Sequence, residues 1–357
     1  MHPSALYETV HREPDYLREM LGRPAAPFEA AASILRGAKR ILVTGTGTSY
    51  HAALVGAGLL RAAGRESWAL THQEMALYPP PLSRGDAIIT ISHRGNKRYG
   101  LETLRRAKEA GLPVVGITGK DSPLTGPEVV LPTVPQERSS THSASYLGSL
   151  MALGLLARSL AEGSASFEPV ARALPGLPAQ IEGVLAREKE IDPVAGVLSE
   201  RGRLVLAGAG PNTATAREGA LKVKESSYLV SEGFELETLL HGGLQALARG
   251  DLAVEIAPLG AARERWADAH RALGLLGTVR WVLGDPGSQA WLASPGNGGA
   301  PEFAFELPAL PEPLTPLLYV VPLQLLACFT AERRGTDPDT FREDDPVFAR
   351  ISASYHL

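Results

Sequence analysis

Short apolar runs rich in β-branched residues recur along the chain, separated by longer stretches with amphipathic periodicity. RILVTG from Arg40, DAIITIS from Asp86, VVGIT from Val114 and EVVLP from Glu128 fall in the first half. RLVLAG from Arg203, DLAVEIA from Asp251, VRWVLG from Val279 and EFAFE from Glu302 repeat the plan in the second. Runs this short that are apolar on both faces predict buried strands of a parallel sheet. NKRYGLETLRRAKEAG and ARERWADAHRALGLLG, which lie between them, predict covering helices. The echo is close at the first strand of each half: RILVTGTGTSYHAALVGAGLL and RLVLAGAGPNTATAREGALKV both read as strand, G-x-G turn and small-residue helix. The expected fold class is α/β, with a parallel sheet flanked by helices occurring twice.

The same patterning divides the chain. Residues 1–36 predict a helical lead-in, amphipathic on both sides of Pro14; 37–165 and 190–340 are the two repeats, and 341–357 a C-terminal tail. The segment from Ala161 to Arg187 is rich in Ala, Gly, Ser and Pro and sets the boundary between the repeats. ASPGNGGAPE from Ala293 predicts a loop before the last strand.

Composition narrows the partners. The chain has 357 residues, 44% of them hydrophobic, enough for two cores. A net charge of -4 gives no basic footprint, so no nucleic-acid partner is expected. Cys328, the single cysteine, excludes a disulfide framework and a multi-cysteine metal site. The N-terminus is charged and without an apolar signal core, and the longest apolar stretches read as too short or too broken by proline to span a bilayer. No membrane association is expected, and the cytoplasm is the expected location.

Four segments carry candidate chemistry. TGTGTSYH places Gly47, Thr48 and Ser49 where a strand turns into a helix. Free amides and hydroxyls there suit phosphate oxygens, although a plain turn would look the same. Tyr50 stands where a dinucleotide fingerprint needs its third glycine, which disfavours a nicotinamide cofactor. ISHRGNK ends the next strand with Ser92, His93, Arg94, Asn96 and Lys97; cations at a helix start oppose the macrodipole unless an anion is present. ERSSTHSAS, containing Ser140, precedes an apolar helix and predicts at least a hydroxyl cap, with a ligand contact as the alternative. In REGALKVKESSY, Lys222 and Glu225 share a helix face. They fit either a solvated i,i+3 ion pair or a general base beside a cation. His241, between TLL and GGL, is structural or catalytic on this reading.

TGTGTSYH, REGALKVKESSY with His241 after it, and YVVPLQLLACFTAERRGTDPD from Tyr319 together resemble the SIS (sugar isomerase) family in its tandem two-domain form. The likeness is to the isomerase half of glucosamine-6-phosphate synthase and to stand-alone ketose/aldose isomerases and amino-sugar phosphate deaminases. It implies two flavodoxin-like three-layer sandwiches and a phosphorylated hexose or amino-hexose as ligand. It further implies Glu225 as the base moving a proton between C1 and C2, Lys222 beside it, and His241 opening the sugar ring from a neighbouring subunit. A homodimer with shared active sites, no metal and no cofactor are part of the same expectation. Thr48, Ser49 and Ser92 match phosphate-binding positions.

Two departures stand out. The family's second loop resembles S-x-S-G-x-T, whereas here two hydroxyl positions hold Arg94 and Lys97. The synthase's C-terminal lysine has no counterpart: Pro346 falls at that place, and no lysine follows Lys224. An enediol or enolamine route without a tail-lysine imine is therefore expected, and without glutaminase activity. A non-catalytic sugar-phosphate-binding regulatory protein is the alternative.

Overall fold

The computed structural model describes residues 4–161 and 163–355. The chain forms two compact units. One takes the chain up to His11, Ser139–Thr141 and Ala179–Phe341; the other takes Arg12–Arg138, His142–Pro178 and the chain from Arg342 on. In the latter, β1 (Arg40–Gly45), β2 (Ser67–Thr71), β3 (Asp86–Ser92), β4 (Val114–Thr118) and β5 (Val129–Pro132) make a parallel sheet in the order β2-β1-β3-β4-β5. In the former, β6 (Arg203–Gly208), β7 (Val230–Glu235), β8 (Leu252–Ile256), β9 (Val279–Gly284) and β10 (Phe303–Glu306) make a second parallel sheet, ordered β10-β9-β8-β6-β7. Counted from its own first strand, the second order is the same as the first. Both are the flavodoxin-like 2-1-3-4-5 arrangement.

The eight runs read from the sequence are all strands. The two strands that give no apolar run, β2 and β7, are edges. Trp68 of β2 is 58% exposed and Val230 of β7 is 81% exposed, so neither strand needs an apolar sequence. The lead-in is one helix, Ala5–Leu21, that continues through Pro14, followed by Ala26–Arg36.

Each sheet has its own core. Leu42, Ile88 and Val114 pack with Met75, Ala107 and Leu112 on the first. Val205, Ala253 and Val282 pack with Trp266, Ala269 and Leu273 on the second. Contrary to the sequence expectation, two helical stretches, Ala144–Ala161 and Glu312–Arg334, are long and apolar enough to cross a membrane; they are 83% and 94% buried within the fold. Ala144–Ala161 is apolar around most of its circumference because nearly all of it is buried, Arg158 near its end being exposed.

Under the first sheet's loops lies a histidine that the sequence did not single out. His72 Nδ1 hydrogen-bonds the Thr46 hydroxyl at 3.2 Å and Nε2 the Thr90 hydroxyl at 3.0 Å, tying the turn after β1 to strand β3. Each hydroxyl can donate or accept, so a neutral imidazole satisfies both. Burial lowers the His72 pKa to about 4. Between that value and the ordinary histidine pKa of about 6.5 the unfolded chain binds the proton and the folded chain does not, so stability falls as pH drops. About 2 kcal/mol should be lost between about pH 7 and pH 5 on this account. Urea denaturation of His72→Gln at the two pH values should show that part of the loss removed; an unchanged pH dependence would refute the assignment.

Candidate functional site

In the first sheet the connection from β1 runs to β2 on one side while β3 pairs on the other, so the loops after β1 and β3 leave adjacent strand ends at the switch point. After β1 the chain turns at once into the helix Thr48–Ala62. A Cβ at Gly45 would lie 2.3 Å from the Ser49 carbonyl carbon, which is why the helix can start directly on the strand end. Gly47 is the N-cap residue with φ +56°, and Thr48 and Ser49, both half-buried, begin the helix. No side chain caps this start, and its first turn has no acidic residue.

The loop after β3 is closed on itself. The buried Ser92 hydroxyl accepts the Gly95 amide at 3.2 Å. Gly95 has φ +71° and a Cβ there would collide with the Ser122 hydroxyl at 2.1 Å. His93 turns inward, its carbonyl accepting the Gly119 amide and the Gln136 side-chain amide, each at 3.0 Å. Arg94 and Asn96 are exposed. Lys97 is the N-cap residue of Arg98–Glu109, a helix also without a side-chain cap or an acidic first turn. Burial, with Arg94 nearby, lowers the Lys97 pKa.

Gly47, Thr48, Ser49 and the Ser92–Lys97 stretch thus share one sheet edge. Ser140 belongs to the other unit, where its amide bonds the Asp339 carbonyl at 2.9 Å and the Ser139 and Thr141 hydroxyls bond the Pro338 carbonyl. The expected hydroxyl cap of the following helix is corrected as well. The carboxylate of Glu137 accepts the amides of Ser143, Ala144 and Ser145.

In the unit of the second sheet, Lys222 and Glu225 lie on the helix Asn212–Ser227, packed between its own sheet and the helix Val321–Arg334. Lys222 Nζ is 2.6 Å from Glu225 Oε2 and 3.4 Å from Glu218 Oε1. The side chains of Lys222 and Glu218 are 1% exposed and that of Glu225 20%. A solvated surface pair is therefore not what the spacing encodes. An ammonium is buried between two carboxylates, and only the Glu225 end opens outward. Glu218, one turn before Lys222 on the same helix face, is the second carboxylate. His241 follows the short helix Leu236–Leu240 at the surface, 72% exposed, with Nε2 2.8 Å from Glu237 Oε1; Arg265 grips the same carboxylate.

This unit has its own switch point, between β6 and β8. It is filled by the chain: a Cβ at Gly260 would lie 2.8 Å from the Glu312 carboxyl carbon, and one at Gly210 3.7 Å from Glu312 Oε1.

A family model described as SIS domain matches residues 34–157 and 197–275. Among curated proteins, the chain is 31% identical over 351 residues to a glutamine–fructose-6-phosphate aminotransferase (isomerizing) of Gloeobacter violaceus, covering 94% of this chain and 56% of the relative. It is 28% identical over 344 residues to the enzyme so named from Pyrococcus horikoshii, with the same coverages. The chain spans about half the length of the curated relatives it matches. Among solved structures, the C-terminal domain of the glucosamine-fructose-6-phosphate aminotransferase of Francisella tularensis superposes with a TM-score of 0.86 at 22% identity, covering 94% of this chain and 98% of that one. Glucosamine-6-phosphate deaminase of Thermotoga maritima gives 0.72 at 20% identity, covering 94% and 97%.

The buried ammonium makes a stability prediction. Lys222→Met leaves Glu218 buried without its cation and should cost about 3–5 kcal/mol in urea denaturation. Glu218→Gln combined with Lys222→Met should recover much of that loss; equal losses in the single and double variants would show that the ion pair is not the cause.

Proposed function

The chain belongs to the SIS domain family, and on that premise we propose that it is a sugar-phosphate aldose/ketose isomerase, or an amino-sugar phosphate deaminase, working as a homodimer in the cytoplasm. The observation that carries the reading is the Glu225 carboxylate, held 2.6 Å from a buried ammonium with its other side open. A base must be fixed in place and able to reach its substrate, and an electrophile beside it must meet the charge that the proton transfer creates.

In the isomerase form, Glu225 removes the proton from C2 of the open-chain aldose. The C2–H electron pair becomes the C1–C2 double bond, the C1 oxygen takes a proton, and a cis-enediol results. Loss of the O2 proton and return of a proton to C1 complete the ketose. Lys222, sealed behind Glu225, acts on the developing negative charge through its field and not by a hydrogen bond to the sugar. With an amino group at C2 the same transfer gives an enolamine and then a ketose imine, whose hydrolysis by water releases ammonia. Thr48, Ser49, Ser92, Arg94 and Lys97 hold the phosphate. The Ser92 hydroxyl, which accepts the Gly95 amide, keeps its proton to donate. His241, from the partner subunit, opens the sugar ring. The names of the relatives favour this substrate class.

A second reading, a non-catalytic sugar-phosphate sensor, draws on Arg94 and Lys97 standing where the resembling loop has hydroxyls. Glu225→Gln separates the two. As an enzyme, the protein should lose turnover of its hexose phosphate by about 10²-fold or more with binding nearly intact; full activity in that variant would sink the mechanism. Arg94→Ser with Lys97→Thr tests the phosphate loop. Thermal-shift titration with glucosamine 6-phosphate and fructose 6-phosphate should show weaker binding, and unchanged affinity for both would remove the loop from the site.

A further inference from the structure

Glu137, which caps the helix Ala144–Ala161, stands beside two imidazoles. One donor atom from each of His93, Glu137 and His142 lies within 4.8 Å of the other two. The two rings meet edge to face, with centroids 5.3 Å apart and planes at 78°. His93 is only 8% exposed, yet neither of its ring nitrogens has a hydrogen-bond partner. Leaving such a group buried and unsatisfied costs about 1–3 kcal/mol, so native structures do so only where something else completes it. Its backbone is held by the Gly119 and Gln136 bonds to the His93 carbonyl, and a Cβ on Gly119 would come within 2.6 Å of the ring. The imidazole is built into this position.

We propose that His93, Glu137 and His142 form a three-ligand site for a divalent cation of the zinc class, with coordination left open to an oxygen of a small-molecule ligand. Two imidazole nitrogens and one carboxylate oxygen are a donor set that zinc and cobalt(II) accept, and three protein ligands leave a position free. Glu137 can serve while it caps the helix. Its Oε1 accepts the Ser145 amide at 2.9 Å, and the Ser145 side chain also bonds the carboxylate, so a metal ion would take the place of that side-chain bond. Bonds of about 2.0–2.2 Å require the three donors to close in from 4.8 Å, by small rotations of the half-buried His142 and of the His93 and Glu137 side chains on binding. His93 and Glu137 come from different loops, so no sequence spacing announces the site. The single cysteine, which excludes a thiolate cluster, has no bearing on a His/Glu one.

The test uses the full-length, untagged protein stripped with chelator, in the absence of any sugar, so that its outcome is independent of the catalytic reading. Titration with cobalt(II), followed by visible absorption, and zinc content measured after gel filtration should each show one equivalent per chain. That equivalent should be lost, or bound at least about 10-fold more weakly, in His142→Ala and in His93→Gln. Zinc should raise the melting temperature of the wild type and leave both variants unmoved. Circular dichroism in chelator checks that each variant is folded, and His142→Asn replaces His142→Ala if it is not. Absence of binding at about millimolar metal, or the same stoichiometry and affinity in wild type and folded variants, would overturn the proposal.

Discussion

A parallel sheet in the order 2-1-3-4-5 leaves a crevice between the loops at the carboxyl ends of its paired first and third strands. The connections from these two strands depart to opposite sides, and no crossover helix lies over the point where they part. In the first sheet that constraint fixes where β1 and β3 deliver their loops. It also explains the local sequence. Gly45 is needed because the helix begins on the strand end itself, and His72 spans from Thr46 to Thr90 because two diverging loops need a brace from beneath. The residues that carry chemistry are placed by topology first and selected by chemistry second.

Lys222 shows the same order of causes in the other unit. At Lys222 the helix is covered by its sheet on one side and by Val321–Arg334 on the other, whereas Arg217 and Lys224 of the same helix are exposed. The charge must be matched on the helix itself, and positions three and four residues away are the ones that reach it. Glu218 and Glu225 occupy those two positions. The pair is unequal. Glu218 is sealed and Glu225 is partly open.

How much of this could be read from the sequence follows from what each feature depends on. Strands buried on both faces announce themselves, as at DAIITIS and VRWVLG. Of the four edge strands, Val129–Pro132 and Phe303–Glu306 still carry an apolar run, whereas Ser67–Thr71 and Val230–Glu235 keep one side in water and carry none. The Lys222–Glu225 spacing was legible, but its burial was not, since burial is decided by the helix that packs over it. The run of hydroxyls in ERSSTHSAS before an apolar helix predicts a hydroxyl cap at the helix start itself. Glu137 reaches amides six to eight residues ahead through a loop whose shape is tertiary. His72 lies inside the capping box Thr71–Glu74, a signal for a helix start that says nothing of where its ring goes. Its role exists only because Thr46 and Thr90 flank it in space.

The two switch points also differ in charge, and the difference bears on what the open one is for. Helix starts at Thr48 and at Arg98 carry the positive end of their dipoles, and neither has an acidic residue in its first turn or a side-chain cap. Lys97 and Arg98 add positive charge to a place that already has it, an arrangement that costs stability unless negative charge arrives from elsewhere. In the second sheet the corresponding crevice receives that charge from the chain, in the carboxylate of Glu312 against Gly210 and Gly260. One copy of the fold thus places its own anion at the switch point, while the other gathers cations there. In that first crevice an anionic ligand would do for the helix ends what Glu312 does in the second.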